Sequence, residues 1–190
     1  MAIMNGTGFG QNNGGETKKR TNFPIGKIRS EDGFMNIGIW NSDKGSTFVT
    51  INIKGAIGKD PSTGSVAYEQ KMNGELPSAV INMECLYGTI LALKATKPEE
   101  ANLKLNFGKS SMTFVGSASG VKVTVESGKG TRSMTFAAMP VGPMNVHPAY
   151  ELFIEYLKIG LNKMKFQKLD EDEFKNVIAA SGENDAESPF

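Results

Sequence analysis

NLKLNFGKSSMTFVGSASGVKVTVESGKGTRSMTFAA, residues 102–138, decides the fold. It divides into four short runs, 102–107, 112–116, 121–127 and 132–138, each mixing apolar and polar residues with the period of two that marks a strand. Gly108, the segment from Gly116 to Gly120, and the pair Gly128 and Gly130 supply the turns between them. A different period follows. Pro148 suits the first position of a helix, and Leu152, Phe153, Tyr156, Leu157, Gly160, Leu161 and Met164 then form an apolar stripe reaching about residue 165.

Upstream, the same order occurs once before. Residues 23–29 and 34–41 read as strands around the turn Glu31, Asp32, Gly33. In the strand 47–56, Val49, Ile51 and Ile53 face one way, and Phe48, Thr50, Asn52 and Lys54 face the other. After a turn-rich loop at 60–64, weaker strands fall at 65–72 and 78–81. Asn82 then caps a helix from Met83 to about Lys97, with Pro98 marking its end. The expectation is an α+β fold of two ββββα units, antiparallel sheets with helices packed on them. The alternative is an OB-fold β-barrel with a C-terminal helix. Helices that follow the strand runs favour the first.

The flanks divide the chain into three regions. Residues 1–22 hold five glycines and a basic cluster at Lys18, Lys19 and Arg20, and read as a flexible arm. Residues 23–169 form the folded domain. Residues 170–190 carry seven acids and one base, so a chain of net charge +1 is a +7 body with a −6 tail. Within that tail a short amphipathic helical stretch is expected over 169–180, with disorder beyond Ser181. A basic body of this kind suits a polyanionic partner.

Several chemistries are set aside. One cysteine and one histidine do not make a Cys/His metal site, and no cofactor is expected. Cys85 lies in an apolar run and reads as a core thiol. His147 precedes Pro148 and reads as a cap or surface residue. Gly6 to Gly10 follows no strand, and the segment at Gly108, Lys109 and Ser110 lacks the upstream glycine of a phosphate loop. The carboxylates cluster in the tail, where nothing fixes paired acids, so an enzyme is not expected. No apolar stretch is long enough for a membrane span, and the first residues do not resemble an export signal, so a cytoplasmic protein is expected.

Binding of single-stranded nucleic acid needs cations for phosphates and aromatic faces for bases. The strands hold both. Phe34, Asn36, Gly38 and Trp40 share one strand face, and Phe48, Thr50, Asn52 and Lys54 form the matching face of the next strand. If those strands pair, Phe34, Trp40 and Phe48 form an aromatic platform with Lys54. Lys27, Arg29 and Lys71 surround it, and the second half adds Lys104, Lys109, Lys122, Lys129 and Arg132.

Two resemblances sharpen this reading. The acidic tail with Asp185 and Glu187, closing on Pro189 and Phe190, resembles the C-terminal tip of bacterial and phage single-strand DNA-binding proteins. That likeness implies recruitment of replication, recombination or repair enzymes through those four residues. The run Phe23, Pro24, Ile25, Gly26, Lys27, Ile28, Arg29 resembles the opening strand of the Whirly and transcriptional-positive-cofactor-four type of binder. Lys27, Arg29 and Lys71 match basic positions of its pattern, and two such units in one chain is the Whirly plan. Together the resemblances imply a sequence-tolerant single-stranded DNA-binding protein, of bacteriophage kind, acting as a homodimer or higher oligomer. An RNA binder, a transcription coactivator of the same fold, or a protein-interaction module are the alternatives.

Overall fold

The computed structural model describes residues 22–182 apart from Asp43 and Met72, with side chains as far as residue 165 except those of Asn22 and Asn73. The first half contains β1 (Asn22–Arg29), β2 (Gly33–Asn41), β3 (Thr47–Lys59), β4 (Val66–Tyr68), β5 (Ser78–Ile81) and helix α1 (Met83–Ala95). The second half contains β6 (Asn102–Phe107), β7 (Ser110–Ser117), β8 (Gly120–Ser127), β9 (Gly130–Ala137), the small strands β10 (Met139–Val141) and β11 (Met144–Val146), and helix α2 (Pro148–Gly182). The fold is α+β, with antiparallel strand pairs throughout.

The second half keeps the meander order β6-β7-β8-β9 that the glycine turns dictate. The first half departs from a simple four-strand unit. β3 is thirteen residues long and serves two partners on one side. Val49 to Asn52 pair with β5, while Ala56 to Lys59 pair with the three-residue β4. The weakly patterned stretch at 65–76 therefore holds one short strand and a 3-10 turn at Asn73–Glu75, and the half has five strands. The hydrogen-bonded orders form two open sheets and a β10-β11 hairpin, with no closed barrel among the described residues.

Alternation places the core. Met35, Ile37 and Ile39 on β2, and Val49, Ile51 and Ile53 on β3, are all 0–1% exposed. Met112, Phe114, Val121, Val123, Val125, Met134 and Phe136 do the same for the second sheet. Each fully buried side chain of this size contributes about 1.5–3 kcal/mol. α2 packs on both sheets. Its Phe153 ring lies 5.9 Å from Phe114 and 5.7 Å from Phe136. One turn on, Tyr156 covers Gly26 of β1 so closely that a Cβ there would lie 2.5 Å from the ring. Gly160 likewise sits against Val49 and Ile25.

Four local expectations are corrected. Cys85 is exposed. The Asn82 cap, whose Oδ1 accepts from Cys85 N at 2.8 Å, starts the helix so that Leu86, Thr89, Ile90 and Leu93 face inward, and Cys85 falls beside that stripe. Leu152 is 42% exposed because it lies about 100° around α2 from Phe153. His147 does sit at the cap of α2, its O accepting from Glu151 N at 3.1 Å, but its side chain is buried rather than on the surface, with its Nε2 3.7 Å from Glu99. The second helix also runs unbroken to Gly182, where a break between 165 and 169 was expected. The tail beyond Gly182 and the arm before Asn22 lie outside the described residues.

Polar bridges lock the halves together. The Asp32 carboxylate, in the β1-β2 turn, accepts from Thr135 N at 2.9 Å and from Thr135 Oγ1 at 2.7 Å. Burial pushes the Asp32 carboxyl up, but hydrogen bonds from Ser30 and Thr135 outweigh it and hold it below the usual range. Tyr150 donates its buried hydroxyl to Leu93 O at 3.0 Å, tying α2 to the end of α1, and burial pushes its phenol up to about 12. No helix among the described residues is long and apolar enough to cross a membrane.

Candidate nucleic-acid interface

The outer face of the first sheet is ordered in cross-strand rows. Trp40 stands opposite Phe48. Pro24, Gly38, Thr50 and Val80 form the next row across β1, β2, β3 and β5. Lys27, Asn36, Asn52 and Ser78 form the third, and Arg29, Phe34 and Lys54 the fourth. The pairing predicted between the two outer faces is thus the pairing found. It follows from the inner face: with Ile37 opposite Ile51 in the core, a period of two leaves no other register.

The aromatic rings are held in pairs. Trp40 and Phe48 stack with centroids 5.5 Å apart and planes 28° from parallel. Phe34 lies between the Arg29 guanidinium, 5.5 Å from its centroid, and the Tyr68 ring, also at 5.5 Å. The Tyr68 hydroxyl donates to Ser30 O at 2.8 Å and fixes that ring. Phe34, Trp40 and Phe48 are half-buried, which leaves ring surface open to a ligand.

Between these ends lies a groove of about 530 Å³. Lys27, Asn36, Gly38, Trp40, Asn52 and Lys129 are among its lining residues, and no acid among the described residues lines it. Gly38 keeps the floor open; a Cβ there would stand 3.1 Å from Phe23 O. Lys129 arrives from the β8-β9 turn of the other sheet and donates to Gly74 O, so both halves contribute a cation to one concavity.

The predicted residues separate into three sets. Lys27, Arg29, Phe34, Trp40, Phe48 and Lys54 share the outer face of the first sheet. Lys104 and Lys122 point from the outer face of the second, whose inward positions are Leu103, Leu105, Val121 and Val123. There Lys104 stands 3.9 Å from Glu126 and lines a shallower depression of about 290 Å³ with Lys109. Val80 N donates to Ser110 Oγ at 3.4 Å and joins the rims of the two concavities.

Arg132 does not join either face. It shares the inward side of β9 with Met134 and Phe136, and its guanidinium forks onto Glu69, Nη2 to Oε1 at 2.8 Å and Nε to Oε2 at 3.0 Å. That pair, with a hydrogen bond from Gly55 N, holds the Glu69 carboxyl down at about 2. Lys71 is exposed beside it and lowers it further. Asp185, Glu187, Pro189 and Phe190 lie outside the described residues. Tyr68 and Val80 were missed, because only the fold-back of β4 and β5 onto β3 brings them to this face. No group of His, Cys, Asp and Glu among the described residues is arranged to hold a metal ion. Comparison with protein-family models, curated proteins and solved structures finds no match to this chain.

Proposed function

We propose that this protein is a sequence-tolerant binder of single-stranded DNA, acting in replication, recombination or repair. The observation that carries the reading is the groove beside the Trp40–Phe48 stack, with Lys27 and Lys129 at its walls and no acid among the described residues that line it. Bases stack on the aromatic pairs, each worth about 1–3 kcal/mol, while the lysines and Arg29 meet phosphates. A duplex hides its base faces, so the same groove discriminates against it. The Whirly reading belongs to this proposal and is supported by strands followed by a helix in each half. So does the tail: the acids and Pro189-Phe190 recruit partner enzymes and compete for the basic surface when DNA is absent. A homodimer or higher oligomer, encoded by a phage and acting in the host cytoplasm, completes the proposal.

Trp40 is the chain's one tryptophan and serves as the reporter. Titration with oligo-dT at low and moderate salt quenches its emission, and added salt weakens the effect. Duplex of equal length leaves the emission unchanged. Binding to neither DNA, by fluorescence or by anisotropy, overturns the proposal. Removal of residues 182–190 leaves DNA affinity equal or higher while capture of a replication partner is lost.

A further inference from the structure

Asn52 is an unusual choice for its position. It lies in the middle of β3, on the outer face, and is only 4% exposed. Its cross-strand neighbours are Asn36 on β2 and Ser78 on β5. A β-branched residue would serve the strand better at such a site. Instead the sequence places an amide there and an amide opposite it. Asn36 Nδ2 donates to Asn52 Oδ1 at 3.3 Å, longer than a usual N–H···O bond. Ser78 directs its hydroxyl elsewhere, to Leu76 O. No acceptor among the described residues takes the Asn52 Nδ2 hydrogens, which leaves them to the groove that this side chain lines.

Both amides line the groove. With Asn52 Oδ1 engaged, the pair offers an acceptor, Asn36 Oδ1, beside the donors of Asn52 Nδ2. An adjacent donor and acceptor is what the hydrogen-bonding edge of a nucleobase complements. The bare backbone at Gly38 leaves room for a ring between this floor and Trp40. From this we infer that the Asn36–Asn52 pair reads the edge of one nucleobase, and gives a binder of single strands a base preference at one position. The inference rests on the proposed single-strand binding. It adds selectivity to it, because stacking and phosphate contacts alone are tolerant of sequence.

The test uses the full chain and oligo-dT, oligo-dA and oligo-dC of equal length at one salt concentration, followed by anisotropy. The wild type favours one of the three by about tenfold or more, within the range of a bidentate base contact. Asn36→Ala and Asn52→Thr bring the three affinities together to about twofold. An amide bridge that is only structural would lower the melting temperature and leave the ratio alone. Should Asn52→Thr fail to fold, the half-exposed Asn36→Ala decides the matter by itself. Equal wild-type affinities, or a preference that survives these variants, overturn the inference and leave single-strand binding standing. Absence of binding to every oligomer removes the proposed function itself.

Discussion

Glu69 and Arg132 meet through two parallel hydrogen bonds, and the Glu69 oxygen that accepts from Arg132 Nε also accepts from Gly55 N at 3.0 Å. One carboxylate therefore clasps β3 of the first sheet to β9 of the second. The contact is geometrically strong because a forked guanidinium matches a carboxylate. It also explains why a cation that the sequence offers to DNA is not available to it.

Acid should loosen this clasp. Glu69 titrates near 2 in the folded chain, against 4.5 for a free side chain. Between those values the unfolded state holds more protons, so stability falls as pH drops from about 4.5 towards 2. Glu69→Gln removes this part of the slope. Its cost at pH 7 is about 1–2 kcal/mol, because both side chains keep some solvent contact. Urea denaturation of both proteins at pH 7, 4 and 2.5 checks it; a gap that fails to narrow in acid refutes the assignment.

Gly26→Ala should destabilise the fold by about 1–3 kcal/mol through overpacking. The added methyl meets the Tyr156 ring at 2.5 Å, and a ring wedged on a strand has little room to move. Pairing the change with Tyr156→Ala should recover part of the loss. A double-mutant cycle by chemical denaturation measures the coupling. Additive losses would show that the two positions do not touch.

Phe48→Ala should weaken binding of oligo-dT by about 1–3 kcal/mol without altering its salt dependence. Phe48 carries no charge, so no counterion is released through it. Because Trp40 stacks on Phe48, the same variant should also shift the tryptophan emission of the free protein. Anisotropy across a salt series separates the two effects.

Lys27→Ala and Lys129→Ala should each lower the slope of log affinity against log salt by about 0.7, the single-strand value for one phosphate. Lys94→Ala, exposed in the last turn of α1, should leave it unchanged. Equal slopes for all three variants would move the nucleic-acid path away from the groove.

The sequence disclosed the outer face because its physics is local. Alternating Met35, Ile37 and Ile39 must be buried on one side, and that alone sends Phe34, Asn36 and Trp40 to the other. The meander of the second sheet was legible for the same reason, through glycines at fixed intervals. What stayed hidden depends on contacts distant in sequence. Arg132 finds Glu69 sixty-three residues away, and no pattern near either residue announces it. The β10-β11 hairpin was also missed, because two prolines and a glycine obscure its alternation between Met139 and Val146. His147 read as a cap or surface residue, and its burial was hidden because it depends on the neighbouring turn that carries Glu99.

The position of α2 in the chain has a consequence for how the protein is made. Tyr156 and Gly160, which close the inner face of β1 and β3, are translated about a hundred residues after that face. At about 5–20 residues per second, the ribosome exposes Ile37, Ile51 and their neighbours for roughly 5–20 seconds before their cover emerges. α1 shelters them only in part. The nascent chain is thus most vulnerable to aggregation while the second sheet is being synthesised, and chaperone demand should end when residue 164 leaves the exit tunnel.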